Sequence, residues 1–151
     1  AESAQKVISI LGPIILREEI ELQLDDREDV IVWGYPNEYE QVLLNLLTNA
    51  RDAFLESESS ENSERKIQIQ HGVSDGWGVV WVRDTAGGIP EALLPEKLFE
   101  SYCTTKGEHG TGTGLSLAKL IIQESMGGRI WAANTDTGAE FTIQLPLVLA
   151  S

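Results

Sequence analysis

The sequence predicts an α+β domain, built as a two-layer sandwich in which helices cover one face of a mixed sheet of about five or six strands. Its 151 residues are enough for one ordinary domain but not for two. Several short segments alternate strictly between apolar and polar residues, which predicts strands with one packed face and one wet face. Two longer segments carry apolar residues at helical spacing.

The first half of the sequence predicts two helices with two strands between them. In order, these are a helix over residues 3–16, strands over 20–24 and 30–33, and a helix over 37–55. Ser3 is a possible cap of the first helix, and Asn37 with Glu40 forms an approximate capping box for the second. Residues 56–65 are acidic and rich in serine, which is typical of a solvated loop.

The second half predicts four more elements. These are strands over residues 67–71 and 77–82, a helix from about Leu115 to Gly127-Gly128, and strands over 130–133 and 141–145. A glycine pair is a common C-terminal stop for a helix. Because the strands alternate, we expect only one face of the sheet to be covered.

Composition narrows the class of protein. The chain is 42% hydrophobic with a formal net charge of -13, so it should fold and should not attract nucleic acid or anionic lipid. Cys103 is the only cysteine, so no internal disulfide is possible, and we expect it to be a small buried hydrophobe. No apolar run approaches ~18–20 residues, and the start lacks both Met and a signal peptide. We therefore expect a cytoplasmic piece of a longer protein, without membrane contact by this domain.

A polar stripe runs along the helix over residues 37–55. It lies apart from the apolar face of that helix and consists of Gln41, Asn45, Asn49 and Asp52. Asparagine is a mediocre helix former, so two asparagines one turn apart are unusual unless their amides bind something. One reading is a pair of solvated amides. The other is a site for Mg²⁺, which favours oxygen ligands and shares the phosphates of a nucleotide.

A second candidate site begins at Asp84, directly after a predicted strand. Gly87 and Gly88 follow it, then Ile89. The carboxylate can accept a hydrogen bond from the exocyclic amine of adenine, and glycine lets a base approach the backbone. Taken alone, the same pattern is also that of an ordinary turn.

The third motif is a loop of glycines and threonines between Thr104 and Leu115. It exposes backbone N–H groups at the start of a predicted helix, where the helix dipole favours phosphate, and Lys106 adds a positive charge. It is neither a P-loop nor a Rossmann fingerprint, because the spacing and the flanking residues differ. A flexible linker is the alternative, although the helix that follows makes it the poorer interpretation.

In this order, the motifs resemble those of the nucleotide-binding domain of sensor histidine kinases. That family belongs to the ATPase superfamily with gyrase, the heat-shock chaperone ATPase and the mismatch-repair ATPase, and its Bergerat-type ATP-binding fold is what the resemblance implies here. The resemblance covers nearly the whole chain. The matching segments are Asn45–Ala53 (N box), Asp84–Ile89 (first glycine box), Leu98–Lys106 (F box), Gly112–Leu117 (second glycine box) and Thr137–Pro146 (final strand).

The resemblance implies a role for each matching residue. Asn49 would hold Mg²⁺ between the phosphates of ATP, Asp84 would read adenine, and Thr142 would support the base. Catalysis would depend on Asn45, Asn49 and Lys106. The remaining residues expected at the nucleotide are Asp52, Gly88, Ile89, Thr105, Gly107, Gly110, Thr111, Gly112, Thr113, Gly114 and Leu115. Ala86 and Ser116 depart from glycines of the family pattern, and each adds a side chain near the ligand.

Asn45 stands where the superfamily's true ATPases carry glutamate. A neutral amide cannot take a proton from attacking water, so transfer to a protein is favoured over hydrolysis. The resemblance implies an acceptor histidine on a separate dimerisation domain and, indirectly, a response regulator downstream. Neither His71 nor His109 is in a suitable helix, so we expect no self-phosphorylation; His71 is interpreted as structural, and His109 as either near phosphate or solvated. Two alternatives keep the fold: a nucleotide-dependent binding module, and a serine kinase, against which Asn45 counts.

Overall fold

The computed structural model describes residues 5–7, 9, 13, 21–25, 36–56, 66–85, 94, 99, 114–136 and 138–146, without the side chains of 25, 36, 37 and 52–56. Within these ranges a mixed five-stranded sheet is combined with helices, which confirms the predicted α+β class. The elements are β1 (Glu21–Asp25), α1 (Pro36–Glu56), β2 (Lys66–Ser74), β3 (Trp77–Asp84), α2 (Gly114–Leu120), a π-helical segment (Ile121–Ser125), β4 (Arg129–Asn134) and β5 (Ala139–Pro146).

The strands lie in the order β1-β2-β3-β5-β4. β1 is parallel to β2, and the other neighbouring pairs are antiparallel. Asp75 and Gly76 connect β2 to β3 with φ of 53° and 82°, the left-handed conformation that a two-residue hairpin turn needs at both positions. The predicted strand over 30–33 lies outside the described residues. Of the helix predicted over 3–16, residues 5–7, 9 and 13 are described and are helical.

Helix α1 follows from its sequence. Pro36 stands at its first position, where the missing N–H costs no hydrogen bond, and Glu38 in the first turn complements the helix dipole. The helix runs one residue beyond the predicted 37–55 at each end. Five apolar side chains on one face are fully buried: Val42, Leu43, Leu46, Leu47 and Ala50. Gln41, Asn45 and Asn49 lie outside this buried face and are half-buried.

Helix α2 begins at Gly114, one residue before the predicted start, and continues into a wider turn. There the N–H of Met126 donates to the carbonyl of Ile121, five residues back, at 3.1 Å. The apolar spacing did not predict this π-helical segment. The helical run ends at Ser125, and Gly127 follows just after its cap Met126 with a φ of +67°, which confirms the predicted glycine stop. Gly128 then packs so tightly that a Cβ there would lie 2.2 Å from the carbonyl oxygen of Gln144.

One hydrophobic core joins the sheet to the helices. Sheet residues of this inner face include Ile67, Ile69, Val80, Val82, Ile130, Phe141 and Ile143. Phe99 stands edge-on to Phe141, with ring centroids 6.0 Å apart and an interplanar angle of 83°. The core therefore fixes α1 against the sheet.

The other face of the sheet is polar and aromatic. Arg83 donates from Nε to Glu140 at 2.6 Å and from a terminal nitrogen to Gln70 at 2.7 Å. Its guanidinium also lies 5.7 Å from the ring centroid of Trp81. These contacts bind three strands together on the face opposite the core.

No helix in the described part of the chain is long and apolar enough to cross a membrane.

Candidate functional site

Asp84 ends β3 on the inner face of the sheet, and its side chain is only 5% exposed. The backbone N–H of Ala139 donates to its Oδ1 at 3.4 Å. The next residue, Thr85, is also fixed: its N–H donates to the Lys66 carbonyl at 3.1 Å, and its Oγ1 accepts from the Lys66 N–H at 3.0 Å. A buried carboxylate at such a rigid strand end is well placed to accept a hydrogen bond from a donor group of a ligand.

Gly138 allows β5 to approach Asp84 closely. A Cβ at this position would lie 2.1 Å from the carbonyl oxygen of Asp84 and 2.9 Å from the Cα of Thr85. Gly138 is held there by Thr135, which donates its N–H to the Gly138 carbonyl at 2.8 Å and accepts the Gly138 N–H on Oγ1 at 3.0 Å. Sequence reasoning missed Gly138 as a site residue. The sequence shows only that Gly138 directly precedes a predicted strand. That position does not reveal which other segment of backbone packs against the glycine.

Replacing Gly138 by alanine should destabilise the domain and also weaken ligand binding through Asp84. The new methyl group meets backbone rather than a flexible side chain, so β5 or the end of β3 must move, at a cost of about 1–3 kcal/mol. Gly128→Ala is the matched control, because its methyl group also meets backbone but at the far end of β5. Thermal unfolding should show both variants destabilised. ATP titration well below both unfolding midpoints should show the larger loss of affinity for Gly138→Ala, and equal losses would contradict this role.

Asn45 links α1 to the start of α2. Its Nδ2 donates to the carbonyl oxygen of Gly114 at 3.0 Å, and its Oδ1 accepts from Nε2 of Gln41 at 2.8 Å. Asn49 lies one turn further along α1 and is half-buried, as Asn45 is. The structure thus brings the predicted polar stripe to the point where the glycine loop meets α2. Two predicted motifs that are distant in the sequence become neighbours.

The other predicted site residues divide into two groups. Leu115 lies beside Gly114 in the first turn of α2, and Asp52 lies on α1, with its side chain outside the described part. The rest lie outside the described residues altogether: Gly88, Ile89, Thr105, Lys106, Gly107, Gly110, Thr111, Gly112 and Thr113. Their roles therefore stay predictions.

Thr142 does not share a face with Asp84, which corrects the prediction that its side chain supports the base. The register pairs Thr142 with Trp81 on one side and with Trp131 on the other. Paired residues point to the same face and successive residues to opposite faces, so Thr142 points away from the face that holds Asp84. The inward position at the start of β5 belongs to Ala139, whose N–H contacts Asp84. Thr142 is therefore not a residue of β5 that faces the Asp84 side of the sheet.

His71 lies inside the fold. It is 7% exposed on β2, and its Nε2 lies 3.3 Å from the hydroxyl of Tyr39 on α1. Burial raises the pKa of the Tyr39 phenol well above its ordinary value, so Tyr39 is neutral. The pair joins helix and sheet, in agreement with a structural role for His71. His109 lies outside the described residues.

Comparison with known proteins places the chain among ATPase domains. Residues 34–149 match the family of histidine kinase-, DNA gyrase B-, and HSP90-like ATPases. The two-component sensor PprA of Pseudomonas aeruginosa is 37% identical over 142 residues, which cover 93% of this chain and 15% of that protein. The sensor protein FixL of Bradyrhizobium diazoefficiens is 34% identical, over 96% of this chain and 28% of that protein. The chain thus spans less than a third of either relative.

Solved structures agree with this assignment. The catalytic domain of histidine kinase ThkA, in a nucleotide-free form, superposes with a TM-score of 0.78 at 30% identity, covering 97% of this chain and 92% of that domain. A complex of ThkA with the response regulator TrrA matches with a TM-score of 0.76 at 29% identity, covering 97% of this chain and 40% of the kinase.

Proposed function

The chain belongs to the histidine kinase-, DNA gyrase B- and HSP90-like ATPase family, and we propose that it is the catalytic domain of a sensor kinase. In this proposal it binds Mg-ATP and transfers the γ-phosphoryl group to a histidine on a separate dimerisation domain. The observation that carries it is the convergence of two motifs: Asn45 of the polar stripe donates a hydrogen bond to Gly114, where the glycine loop enters α2.

In this proposal Asp84 recognises the adenine base of ATP. Its buried carboxylate can accept the exocyclic amine of adenine, whereas guanine presents a carbonyl oxygen there and is repelled. The Ala139 N–H and the Thr85–Lys66 pair hold this acceptor in place before a nucleotide arrives. The proposed pocket is therefore specific for adenine nucleotides.

The donor chemistry of α1 fits Mg²⁺. Asn49 is half-buried on the same stripe as Asn45, and its side chain carries an amide oxygen. In nucleotide sites one or two protein ligands suffice for Mg²⁺, because the phosphates and water supply the others. When bound, Mg²⁺ neutralises the charge that develops on the transferred phosphoryl group. Lys106 and the backbone of residues 107, 110–113 and Gly114 are proposed to hold the phosphates. This local positive potential is what a chain of net charge -13 requires to bind an anion.

Asn45 favours transfer over hydrolysis. Its carboxamide cannot act as a general base, and in the structure its two ends already contact Gly114 and Gln41. Phosphoryl transfer needs mainly positioning and charge neutralisation, so a protein acceptor brought in line with the γ-phosphate is enough. This argues against the serine kinase alternative, whose members usually carry glutamate in the N box.

We also propose that residues 1–151 are one domain of a longer, cytoplasmically active kinase. The chain spans 15% and 28% of PprA and FixL, so most of such a protein lies outside it. The histidine-bearing dimerisation domain would be its direct partner. A response regulator would receive the phosphoryl group afterwards; the histidine kinase ThkA, to which this chain is similar, forms a complex with the response regulator TrrA.

Radiolabelled Mg-ATP and a separately made acceptor-histidine domain test this function. We expect acid-labile label on the acceptor and none on this chain alone. A variant acceptor with its histidine replaced by glutamine is the control and should stay unlabelled. ATP binding without transfer to the acceptor domain would instead favour a nucleotide-dependent binding module.

A further inference from the structure

Gln41 forms the first link of a hydrogen-bonded chain between α1 and α2. Its Nε2 donates to Oδ1 of Asn45 at 2.8 Å, and Nδ2 of Asn45 donates to the carbonyl oxygen of Gly114 at 3.0 Å. All three residues are half-buried. The two bonds run continuously from the first half of α1 to the first residue of α2.

The carbonyl of Gly114 determines the donor-to-acceptor direction of these two hydrogen bonds. A carbonyl oxygen can only accept a hydrogen bond, so Asn45 must turn its NH₂ group toward Gly114 and its oxygen toward Gln41. Gln41 supplies the donor that this orientation requires. If the Asn45 carboxamide rotated by a half-turn, its oxygen would face the Gly114 carbonyl and the bond would be lost.

We propose that Gln41 is a positioning residue for phosphoryl transfer, acting through Asn45 on the start of α2. By fixing the Asn45 carboxamide, it holds Gly114, and with it the exit of the glycine loop, against the helix that carries Asn49. This inference rests on the proposed function. It assigns to Gln41 a task that the resemblance of the motifs does not include.

Two substitutions separate hydrogen bonding from packing. Gln41→Met keeps the length of the side chain but removes the donor. Gln41→Glu keeps the shape but replaces the donor by an acceptor, which favours the rotated carboxamide of Asn45 and opposes its bond to Gly114. Gln123→Met is the matched control, because Gln123 is exposed on the π-helical segment.

The transfer rate at saturating Mg-ATP should fall roughly 3–10-fold in Gln41→Met, as expected for loss of one neutral hydrogen bond. It should fall further in Gln41→Glu and stay unchanged in Gln123→Met. The affinity for adenosine should not change, since Asp84 reads the base at the end of β3. Thermal unfolding of each variant identifies any general loss of structure, and rates are compared only where the domain is folded.

The side-chain amide signal of Asn45 in ¹H–¹⁵N NMR provides a readout that does not depend on transfer. It is assigned with an Asn45→Ser variant and should shift in Gln41→Met and more strongly in Gln41→Glu. If the unaltered chain transfers no phosphoryl group, the proposed function fails while this signal still tests the contact. Transfer rates of both folded Gln41 variants equal to that of the unaltered chain would overturn the positioning role, and an unmoved Asn45 signal would overturn the contact itself.

Discussion

Replacing Asn49 by alanine should abolish the Mg²⁺-dependent part of ATP binding while leaving the fold intact. Alanine is the best helix former, so the intrinsic helix propensity of α1 does not fall. The change removes the one amide oxygen that the site is proposed to give to the metal. We expect a loss of at least ~10–100-fold in affinity for Mg-ATP, since loss of even the groups that orient metal ligands has effects of that size.

Calorimetric titration with ATP, in Mg²⁺ and in a chelator, measures this effect. The two conditions should give different affinities for the unaltered chain and nearly equal ones for Asn49→Ala. Thr48→Ala, at the neighbouring position of α1, is the control and should keep the difference. Circular dichroism checks that both variants remain helical. If Asn49→Ala retains metal-dependent affinity, the stripe on α1 is not the metal site.

Much of this fold follows from local sequence patterns. The alternating segments gave strands within a few residues of the observed ones, because the sheet buries one face against the helices. Glycine marked the end of the helical run at Gly127, where the left-handed conformation excludes most other residues. The π-helical segment was not predictable in this way, since the buried residues Ala118, Ile122 and Met126 keep a spacing of four that an ordinary α-helix also gives.

The candidate site was predictable in its motifs but not in its contacts. Asp84 and Asn45 have side-chain chemistry that points to a ligand from the sequence alone. Thr142 was misassigned because a one-residue difference in strand phase moves a side chain to the other face. Gly138 matters through the backbone of Asp84, which it approaches in the tertiary structure. Gln41 and Asn45 lie one turn apart on α1, where side chains can meet, but the Gly114 carbonyl that orients Asn45 belongs to another helix. No spacing rule encodes the two contacts between separate elements, Gly138 with Asp84 and Asn45 with Gly114.

Replacing Asp84 by asparagine should weaken ATP binding about 10–150-fold and reduce the preference for ATP over GTP. A carboxylate can accept from the Ala139 N–H on one oxygen and from the adenine amine on the other. The new carboxamide has only one oxygen. If that oxygen faces Ala139, the NH₂ group meets the adenine amine, and if it is reversed, the NH₂ group meets the Ala139 N–H. Either way one charge-assisted bond is lost, which costs about 1.5–3 kcal/mol.

Competitive titration of ATP and GTP against a fluorescent adenine nucleotide tests this prediction. Asp75→Asn is the matched control, because Asp75 is exposed in the β2–β3 turn and its φ of 53° suits asparagine equally well. The two variants change net charge by the same amount, so any general electrostatic effect on nucleotide binding appears in both. Selective loss of ATP affinity in Asp84→Asn then belongs to base recognition, whereas an unchanged ratio of ATP to GTP affinity would mean that Asp84 does not read adenine.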